Sequence, residues 1–386
     1  MFFAVVRVFS VVFLAGFVVR AAADGIAVGN SRLVPSLSVE WFDSSNVFPA
    51  EPQHTDSTGF LVSPNVSLEG GTGDTEFALG YEGNYAEFDD AEEADYDDHR
   101  FYANGDVIFS SRSRLSLSGF VHDSHVLYGE PLSDELLSDD EPITYQQAGI
   151  EIAHTYGAAQ ARGNLRTEVV WDSRDYDNYP ALTDGLSYSS VTPAVTLLYS
   201  VSSDTRALVG VSYQMLDYDG DSTADSGTSS VFTGAEWDAT GKTGGSAKVG
   251  VGSRNFDSDS RDDETTMTIA ATAYWLPLSY SRLDLSLYRN FAVDTVSTTV
   301  ATVAALNWRH DWTPRLRSFT TLKRADYSSD DESDERTLDT ARLRLGVGLT
   351  RWLSLTGEVA KEWSDSPNEL LDFERDWLAF GVELEL

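Results

Sequence analysis

His122, Asp123, Ser124 and His125 form a run of the side chains that hydrolases use as bases and nucleophiles. The run lies in a segment of two-residue alternation, which predicts a β-strand. Neighbours in a strand point to opposite faces, so the four side chains cannot all converge. Because the chain has six histidines and no second cluster of this kind, we expect no enzymatic activity.

An acidic segment offers oxygen ligands with spacing similar to that of a calcium loop. It contains Asp217, Asp219, Asp221 and Asp225, and Gly220 would allow a sharp bend. The residue order differs from that of an EF-hand, and a solvated surface loop explains the same residues. The absence of cysteine removes thiolate metal sites and thiol nucleophiles. We therefore expect no cofactor and no metal ion, with this segment as the remaining calcium candidate.

The overall charge and the N-terminus limit where the protein works. A formal net charge of -35 argues against nucleic acid as a partner, because nucleic acid binding requires clustered Lys and Arg. At the N-terminus, Arg7 precedes the apolar run 8–19 and then Ala21, Ala22 and Ala23. This pattern predicts a cleaved signal peptide over residues 1–23 and a mature chain over 24–386. The apolar run is too short to span a bilayer.

Two-residue alternation of apolar and polar residues recurs through the mature chain, whereas helical spacing is almost absent. The pattern predicts an all-β protein, a single transmembrane antiparallel β-barrel of about 18 strands (16–18). The predicted strand centres are Leu37, Val66, Leu79, Ala103, Leu117, Ile150, Leu165, Val195, Val209, Thr233, Val249, Ile269, Leu285, Val303, Thr320, Leu345, Leu355 and Val382.

Connections between the predicted strands alternate in length. Short turns such as 70–74 and 110–114 alternate with longer acidic segments such as 87–98 and 123–141. Outer-membrane barrels have short periplasmic turns and long extracellular loops, so the alternation predicts that topology and location. Aromatic residues beside the connections predict two interfacial girdles. They are Phe109, Tyr199, Trp275, Trp308 and Trp352 near short turns, and Phe42, Tyr85, Trp171, Trp363 and Trp377 near long loops.

The alternation also predicts which charged residues line the lumen. Leu343, Leu345 and Val347 share one face of a strand, so Arg342 and Arg344 share the other. A charge facing lipid costs about 2 to 4 kcal/mol near mid-membrane, so the charged face points inward. The predicted lumen-lining residues are Arg100, Asn104, Asp106, Arg162, Asn164, Arg166, Glu168, Arg309, Arg342, Arg344 and Glu358. Such a wall, with both charge signs, suits hydroxyl-rich solutes.

The last strand and the surface predict further partners. Leu378, Phe380, Val382, Leu384 and Leu386 alternate along one face to the end of the sequence, a pattern similar to the strand recognised by the barrel assembly machinery. That strand usually ends in Phe, and here Leu386 stands in its place. Outer-membrane lipid and lipopolysaccharide are expected around the barrel.

The N-terminal third contains three stretches with a recognisable pattern: 37–48 (LSVEWFDSSNVF), 56–68 (DSTGFLVSPNVSL) and 77–129. The residues that carry the pattern are Asp43, Asn46, Pro64, Tyr81, Tyr85, Asp95, Tyr96 and His99. In these stretches the chain resembles the putative beta-barrel porin 2 family, whose members are often encoded within exopolysaccharide gene clusters. The resemblance implies an outer-membrane conduit that works beside a periplasmic polysaccharide export protein.

Three functions remain open at this stage. The leading hypothesis is a wide channel that exports a surface exopolysaccharide, with the polysaccharide as substrate. The first alternative is a general diffusion porin for small hydrophilic solutes, which predicts an inward-folded constriction loop. Its longest candidate is residues 123–141. The second alternative is a surface adhesion or barrier protein whose acidic loops are the functional part.

Overall fold

The computed structural model describes residues 25–49, 54–133, 141–220, 223–238, 241–292, 298–329 and 335–386. The predicted signal peptide lies outside these residues, so its cleavage stays a prediction. Strands dominate the described chain, as expected from alternating segments rich in β-branched and aromatic residues. The strands are β1 Ile26–Val28, β2 Ser31–Ser44, β3 Ser57–Thr72, β4 Thr75–Phe88, β5 Tyr96–Ser110, β6 Ser113–His125, β7 Thr144–Tyr156, β8 Gly163–Tyr176, β9 Tyr188–Ser200, β10 Thr205–Tyr218, β11 Ser226–Asp238, β12 Thr243–Phe256, β13 Glu264–Leu278, β14 Ser281–Phe291, β15 Thr299–Asp311, β16 Leu316–Ser329, β17 Arg336–Gly348, β18 Leu353–Asp365 and β19 Phe373–Glu385.

Strands β2 to β19 form a closed antiparallel barrel of 18 strands. Each strand pairs with the next along the chain, and β19 closes the wall by pairing with β2, where Val382 lies opposite Val39. Closure leaves no unpaired sheet edge in the membrane. The short β1 pairs with the start of β2 and is an addition to the barrel. The predicted barrel is confirmed, and every predicted strand centre lies within one of these strands.

The two ends of the barrel differ as predicted. One end, here called the turn end, carries short connections such as 73–74 and 111–112, together with the C-terminus. The other, the loop end, carries nine longer loops, L1 to L9 in chain order. They comprise residues 45–56, 89–95, 126–143, 177–187, 219–225, 257–263, 292–298, 330–335 and 366–372. Short helices interrupt three of them: Glu92–Ala94 in L2, Pro131–Ser133 in L3 and Pro180–Thr183 in L4.

The outer face of the wall is apolar. Phe101, Leu197 and Val231 are 55%, 58% and 60% exposed, whereas polar residues on the alternate positions, such as Glu40 and Arg166, are buried. This arrangement is the reverse of a water-soluble barrel and matches a wall surrounded by lipid. In the described part of the chain, none of the helices has the length and apolar character needed to cross a bilayer.

An arginine on this outer face should destabilise the barrel. Val209 is 50% exposed on β10 between Leu197 and Thr233 of the neighbouring strands. We expect Val209→Arg to lower the free energy of unfolding in lipid bilayers by about 2 to 4 kcal/mol, because the charge faces hydrocarbon. Urea titration measures the change. The control Ser212→Arg on the lumen side of β10 should change it by less than about 1 kcal/mol, and equal losses in both variants would contradict the assigned faces.

The predicted girdles are only partly correct. Phe109, Tyr199, Trp275 and Trp352 are 66%, 55%, 52% and 49% exposed near the turn end, as expected of interfacial residues. Two girdle assignments at the loop end are wrong. Phe42 is fully buried and stacks on Trp377 with ring centroids 4.5 Å apart. Phe42 lies on an inward position of β2. Trp377 lies on an inward position of β19, on the same face as Ala379 and Gly381.

Candidate functional site

The lumen wall contains most of the residues that the sequence predicts for it. Strand register places Arg100, Asn104, Asp106, Asn164, Arg166, Glu168, Arg309, Arg342, Arg344 and Glu358 on inward positions. Arg162 differs, because it lies exposed in the short turn before β8 and outside the strand wall. The role of these residues in transport stays a prediction.

Ion pairs between non-adjacent strands show which face is concave. Arg344 on β17 pairs with Glu40 on β2, although β18 and β19 lie between these strands. Arg344 also contacts Glu358 at 3.3 Å, and Arg342 contacts the other oxygen of Glu358 at 3.4 Å. These contacts are possible only on the inside of the barrel. The four side chains form a central network of two arginines and two glutamates.

Smaller ion pairs are distributed around the rest of the lumen. At the turn end, Glu236 on β11 receives Arg166 of β8 at 2.8 Å and Arg206 of β10 at 3.2 Å. Between β4 and β5, Arg100 pairs with Glu82 at 2.9 Å. The neutralised charges explain how both signs can line the interior without a large unpaired charge.

Charge is segregated around the circumference. Strands β14 to β17 place seven cations inward, Arg282, Arg309, Arg317, Lys323, Arg336, Arg342 and Arg344, against two carboxylates, Asp284 and Asp311. Strands β18, β19 and β2 to β4 place eight carboxylates inward, Glu40, Glu69, Glu76, Glu82, Glu358, Glu362, Glu383 and Glu385, against Arg32 and Arg375. A basic sector therefore adjoins an acidic sector, and the pair creates a field across the lumen.

The mouth at the loop end is crossed by residues 126–133 of L3, here called the lid. The lid is held in a compact turn by Ser133, whose hydroxyl bonds the carbonyls of Leu127 and Glu130 at 3.0 and 2.8 Å. Gly129 has a φ of +95°, and a Cβ atom there would come within 2.7 Å of Phe373. The lid therefore needs glycine both for its turn and for its close approach to β19.

Two arginines on β17 and β19 hold the lid, and we call Arg336 and Arg375 the latch. Arg336 on β17 donates to the carbonyl of Gly129 and to the carboxylate of Glu130, each at 2.8 Å. Arg375 on β19 donates to the carbonyl of Tyr128 at 2.7 Å. Since β17 lies almost opposite β6 in the wall, the lid spans the mouth from one side to the other.

Apolar residues from neighbouring loops pack around the lid. The cluster consists of Val47, Phe48, Ala91, Ala94, Val126, Tyr128, Ile143 and Tyr145. Phe48 of L1 meets Tyr128 edge to face at 4.7 Å, and the Tyr179 hydroxyl of L4 donates to the Glu141 carbonyl at 2.9 Å. L1 to L4, together with Tyr145 of β7, thus build a small hydrophobic core at the mouth, which stabilises the position of the lid.

Residues of the family-like pattern contribute to this end of the barrel. Asn46 adopts a left-handed φ of 52° and donates its amide to the Glu374 carbonyl at 3.0 Å. The Asp95 carboxylate accepts the Phe88 amide and closes L2. Tyr96 stacks on His125 at 4.1 Å, where the lid begins. Three positions of the N-terminal pattern therefore shape the mouth.

The His122–His125 run does not form a catalytic cluster. His122 lies on an inward position opposite Arg100, whereas Asp123 bonds the Gln146 amide on the outward face. His125 pairs with Asp98 at 2.9 Å. The four side chains therefore face different surroundings.

The acidic segment of L5 shows no ligand arrangement in its described part. Asp225 accepts the Tyr218 amide, the Asp219 amide donates to the Ser187 carbonyl, and Asp217 lies on the outward face of β10. Asp221 lies outside the described residues. Over the described ranges, no three His, Asp or Glu side chains are grouped so that they could hold a metal ion.

Several residues at the mouth are not apparent from the sequence. Arg336 and Arg375 look like further charges on alternating strands, and Trp377 looks like an interfacial ring. Their role depends on contacts with residues more than 200 positions away in the sequence. The two-residue period of a strand carries no information about such contacts. The one available signal is the length of L3, which predicts an inward-folded loop without indicating its anchors.

Comparisons with known proteins found similar solved structures and one family. No curated protein matches the sequence. Similar solved structures include OccAB4 from Acinetobacter baumannii, at 10% identity and a TM-score of 0.46 over 92% of this chain and 98% of that chain. A BenF-like porin from Pseudomonas fluorescens Pf-5 aligns at 11% identity and a TM-score of 0.47, over 93% and 100%. OccK2 (OpdF) from Pseudomonas aeruginosa aligns at 12% identity and 0.46, over 92% and 97%.

A family model extends the relationship beyond the N-terminal third. The model described as putative beta-barrel porin 2 matches residues 21–386. Family and fold together indicate a channel rather than an enzyme. Since the match covers almost the entire chain, this porin-like channel of the outer membrane belongs to the putative beta-barrel porin 2 family.

Proposed function

We propose that this chain is a gated outer-membrane conduit through which a surface exopolysaccharide leaves the cell. The observation that carries the proposal is the lid, which crosses the mouth and is latched to β17 and β19 by Arg336 and Arg375. A polymer needs the full width of an 18-strand lumen, but only while it passes. A latched lid meets both needs, because it keeps the wide barrel closed between export events.

The lumen wall also suits a glycan. Paired arginines and carboxylates offer donors and acceptors close together, and serines and threonines such as Ser63, Thr196 and Thr356 lie between them on the inner face. Sugar hydroxyls can exchange hydrogen bonds with such groups along the whole path. Because most charges of the lumen are already paired, a passing glycan makes many weak contacts and no single contact strong enough to hold it.

The proposal includes three partners. A periplasmic polysaccharide export protein would deliver the chain to the turn end. The barrel assembly machinery would recognise β19, whose residues Leu378, Phe380, Val382 and Leu384 alternate on the lipid face before Leu386. Lipid and lipopolysaccharide would surround the apolar wall, after removal of a signal peptide over residues 1–23.

A general diffusion porin is the second candidate. It is favoured by the inward folding of L3, because diffusion porins are also expected to narrow their lumen with such a loop. The two candidates differ in what the resting protein does. A diffusion porin conducts small ions steadily at rest, whereas a latched conduit conducts little until the lid moves.

Deletion of the gene tests the export proposal. We expect surface polysaccharide to disappear while the same polymer, or its lipid-linked precursor, continues to be made inside the cell. Glycan staining of whole cells and of lysates measures the two pools, and a plasmid-borne copy should restore the surface pool. Normal surface polysaccharide in the deletion strain would refute export by this chain.

A further inference from the structure

A cavity lies directly beneath the lid, between L1 to L3 on one side and β17 to β19 on the other. It has a volume of about 120 Å³, and we call it the sub-lid cavity. Its lining includes Tyr96, Tyr128 and Trp377 together with Arg342, Glu362 and Arg375. Aromatic surfaces with a few placed polar groups are the usual composition of a ligand site.

We infer that the sub-lid cavity binds a neutral pyranose unit of the exported glycan and that this binding loosens the lid. The inference rests on the proposed export function, since it names the substrate class and the point of contact. It is carried by three features of the cavity: a braced aromatic platform, two polar groups with unused hydrogen-bonding capacity, and an arginine shared with the latch.

Trp377 provides the platform. Its ring is braced from behind by the fully buried Phe42 at 4.5 Å, and Phe42 is in turn packed edge to face on Phe88 at 4.9 Å. Trp377 itself stays partly exposed, and its indole N–H makes no hydrogen bond to the described residues. The C–H groups of a pyranose face are weakly positive and suit the negative face of an aromatic ring. The indole N–H can donate to a sugar hydroxyl.

Arg342 and Glu362 provide the polar groups. Arg342 contacts Glu358 through Nε at 3.4 Å, and its terminal nitrogens bond none of the described residues. Glu362 forms neither an ion pair nor a hydrogen bond within the described ranges. Arg342 lies opposite Ala360, so Glu362 is its diagonal neighbour, and such residues are roughly 7 to 8 Å apart. A sugar ring can bridge this gap with hydroxyls at both ends.

The charges of the cavity indicate a neutral ligand. Arg342 and Arg375 contribute two inward cations, and the third cation of the lining, Lys361, pairs with Glu374 and Asp376 at 2.7 and 3.4 Å. Glu362 lies directly opposite Arg375 in the register of β18 and β19, and Glu358 contacts Arg342, so a carboxylate accompanies each inward cation. An anionic sugar placed on Arg342 would approach Glu362. Hydroxyls suit this mixture better, because they donate to the carboxylate and accept from the guanidinium.

Arg375 connects the cavity to the lid. The same side chain lines the cavity and donates to the Tyr128 carbonyl of the lid at 2.7 Å. A sugar hydroxyl that accepts from Arg375 competes with this carbonyl. Arrival of the glycan from the lumen therefore weakens the latch where the lid must open.

Binding can be measured with the full mature chain in dodecyldimethylamine oxide, a detergent without a sugar headgroup. The probes are cellohexaose, maltohexaose and an oligogalacturonate hexamer. We expect at least one neutral hexasaccharide to bind in isothermal titration calorimetry with a Kd on the order of 1 mM. Trp377→Ala should weaken it about tenfold through loss of the stacking surface, whereas Trp377→Phe should keep affinity within about threefold.

Two further variants distinguish binding in the sub-lid cavity from binding elsewhere in the lumen. Glu362→Gln removes charge without removing packing, and it should weaken binding about fivefold, as expected for loss of a charged hydrogen bond. Phe232→Ala, a lumen aromatic on β11, should leave affinity unchanged. The inference is overturned if only the acidic hexamer binds, if neither neutral hexamer binds, or if Phe232→Ala weakens binding as much as Trp377→Ala.

The binding test and the deletion test fail independently. Loss of surface polysaccharide on deletion, together with no sugar binding, would leave export standing and refute the cavity. Sugar binding with normal surface polysaccharide on deletion would keep the cavity as a saccharide site and refute export.

Discussion

Replacing both latch arginines, Arg336→Ala with Arg375→Ala, should convert a poorly conducting barrel into an open channel. The double variant loses three charged hydrogen bonds to the lid. Each contributes about 1.5 to 3 kcal/mol, so the closed state loses at least about 4 kcal/mol. That shifts the balance between closed and open states roughly a thousandfold. In the double variant Glu130 also loses its ion-pair partner Arg336, and the unpaired carboxylate disfavours the closed position of the lid.

Planar lipid bilayers measure the opening directly. We expect the wild-type barrel to show low and infrequent conductance, and the double variant to show long openings of several-fold larger conductance. Cells carrying the variant should become sensitive to large antibiotics that an intact outer membrane excludes. The matched control is Arg324→Ala, because Arg324 pairs with Asp339 on the outer face at 3.2 Å and is well exposed. Identical traces for wild type and the latch variant would refute a gating role for the lid.

Removing Arg344 should cause the largest loss of stability among the lumen charges. Arg344 lies between Glu40 and Glu358, whose side chains are 9% and 4% exposed. Arg344→Leu leaves Glu40 with the Ser38 hydroxyl but without a cationic partner, while Glu358 keeps Arg342. Breaking a buried ion pair from one side costs about 3 to 5 kcal/mol, since the remaining charge stays poorly solvated. We expect a loss of this size.

The loss is measured as the free energy of unfolding in urea, with the heat-modified mobility of the folded barrel as a second readout. Adding Glu40→Gln to Arg344→Leu should recover part of the stability, because it removes the stranded charge. Arg324→Leu, which breaks an exposed pair, should cost less than about 1 kcal/mol. If the Arg344 and Arg324 variants unfold at the same urea concentration, the central network does not stabilise the barrel.

Much of the fold follows from short-range pattern. A transmembrane strand has lipid on one side and a polar lumen on the other, so alternation around Leu343 or Val209 directly reports its two faces. The lengths of the connections then distinguish the turn end of the barrel from the loop end. The additional β1 was not predicted, because three residues are too few to establish a two-residue period.

The interior was less predictable, for a physical reason. The sequence places Phe42 and Trp377 in a lipid-facing girdle, because aromatic rings concentrate there. Both lie on the inward positions, where the loop cluster and the strand ends form an apolar region. Inward positions beneath the lid need not be polar, because apolar side chains of the loops and strand ends pack against them. The anchors of the lid depend on the same long-range packing.

The contacts of the lid also indicate the order in which the barrel assembles. Its own residues are 126–133, whereas its anchors lie on β17 and β19, 206 to 247 positions later. β19 must also pair with β2 before Arg375 is in place near Asn46 and Tyr128. A partly assembled barrel therefore lacks the Arg375 half of the latch. The latch is complete only when the last strand has paired with the first, so a fully latched lid indicates a closed wall.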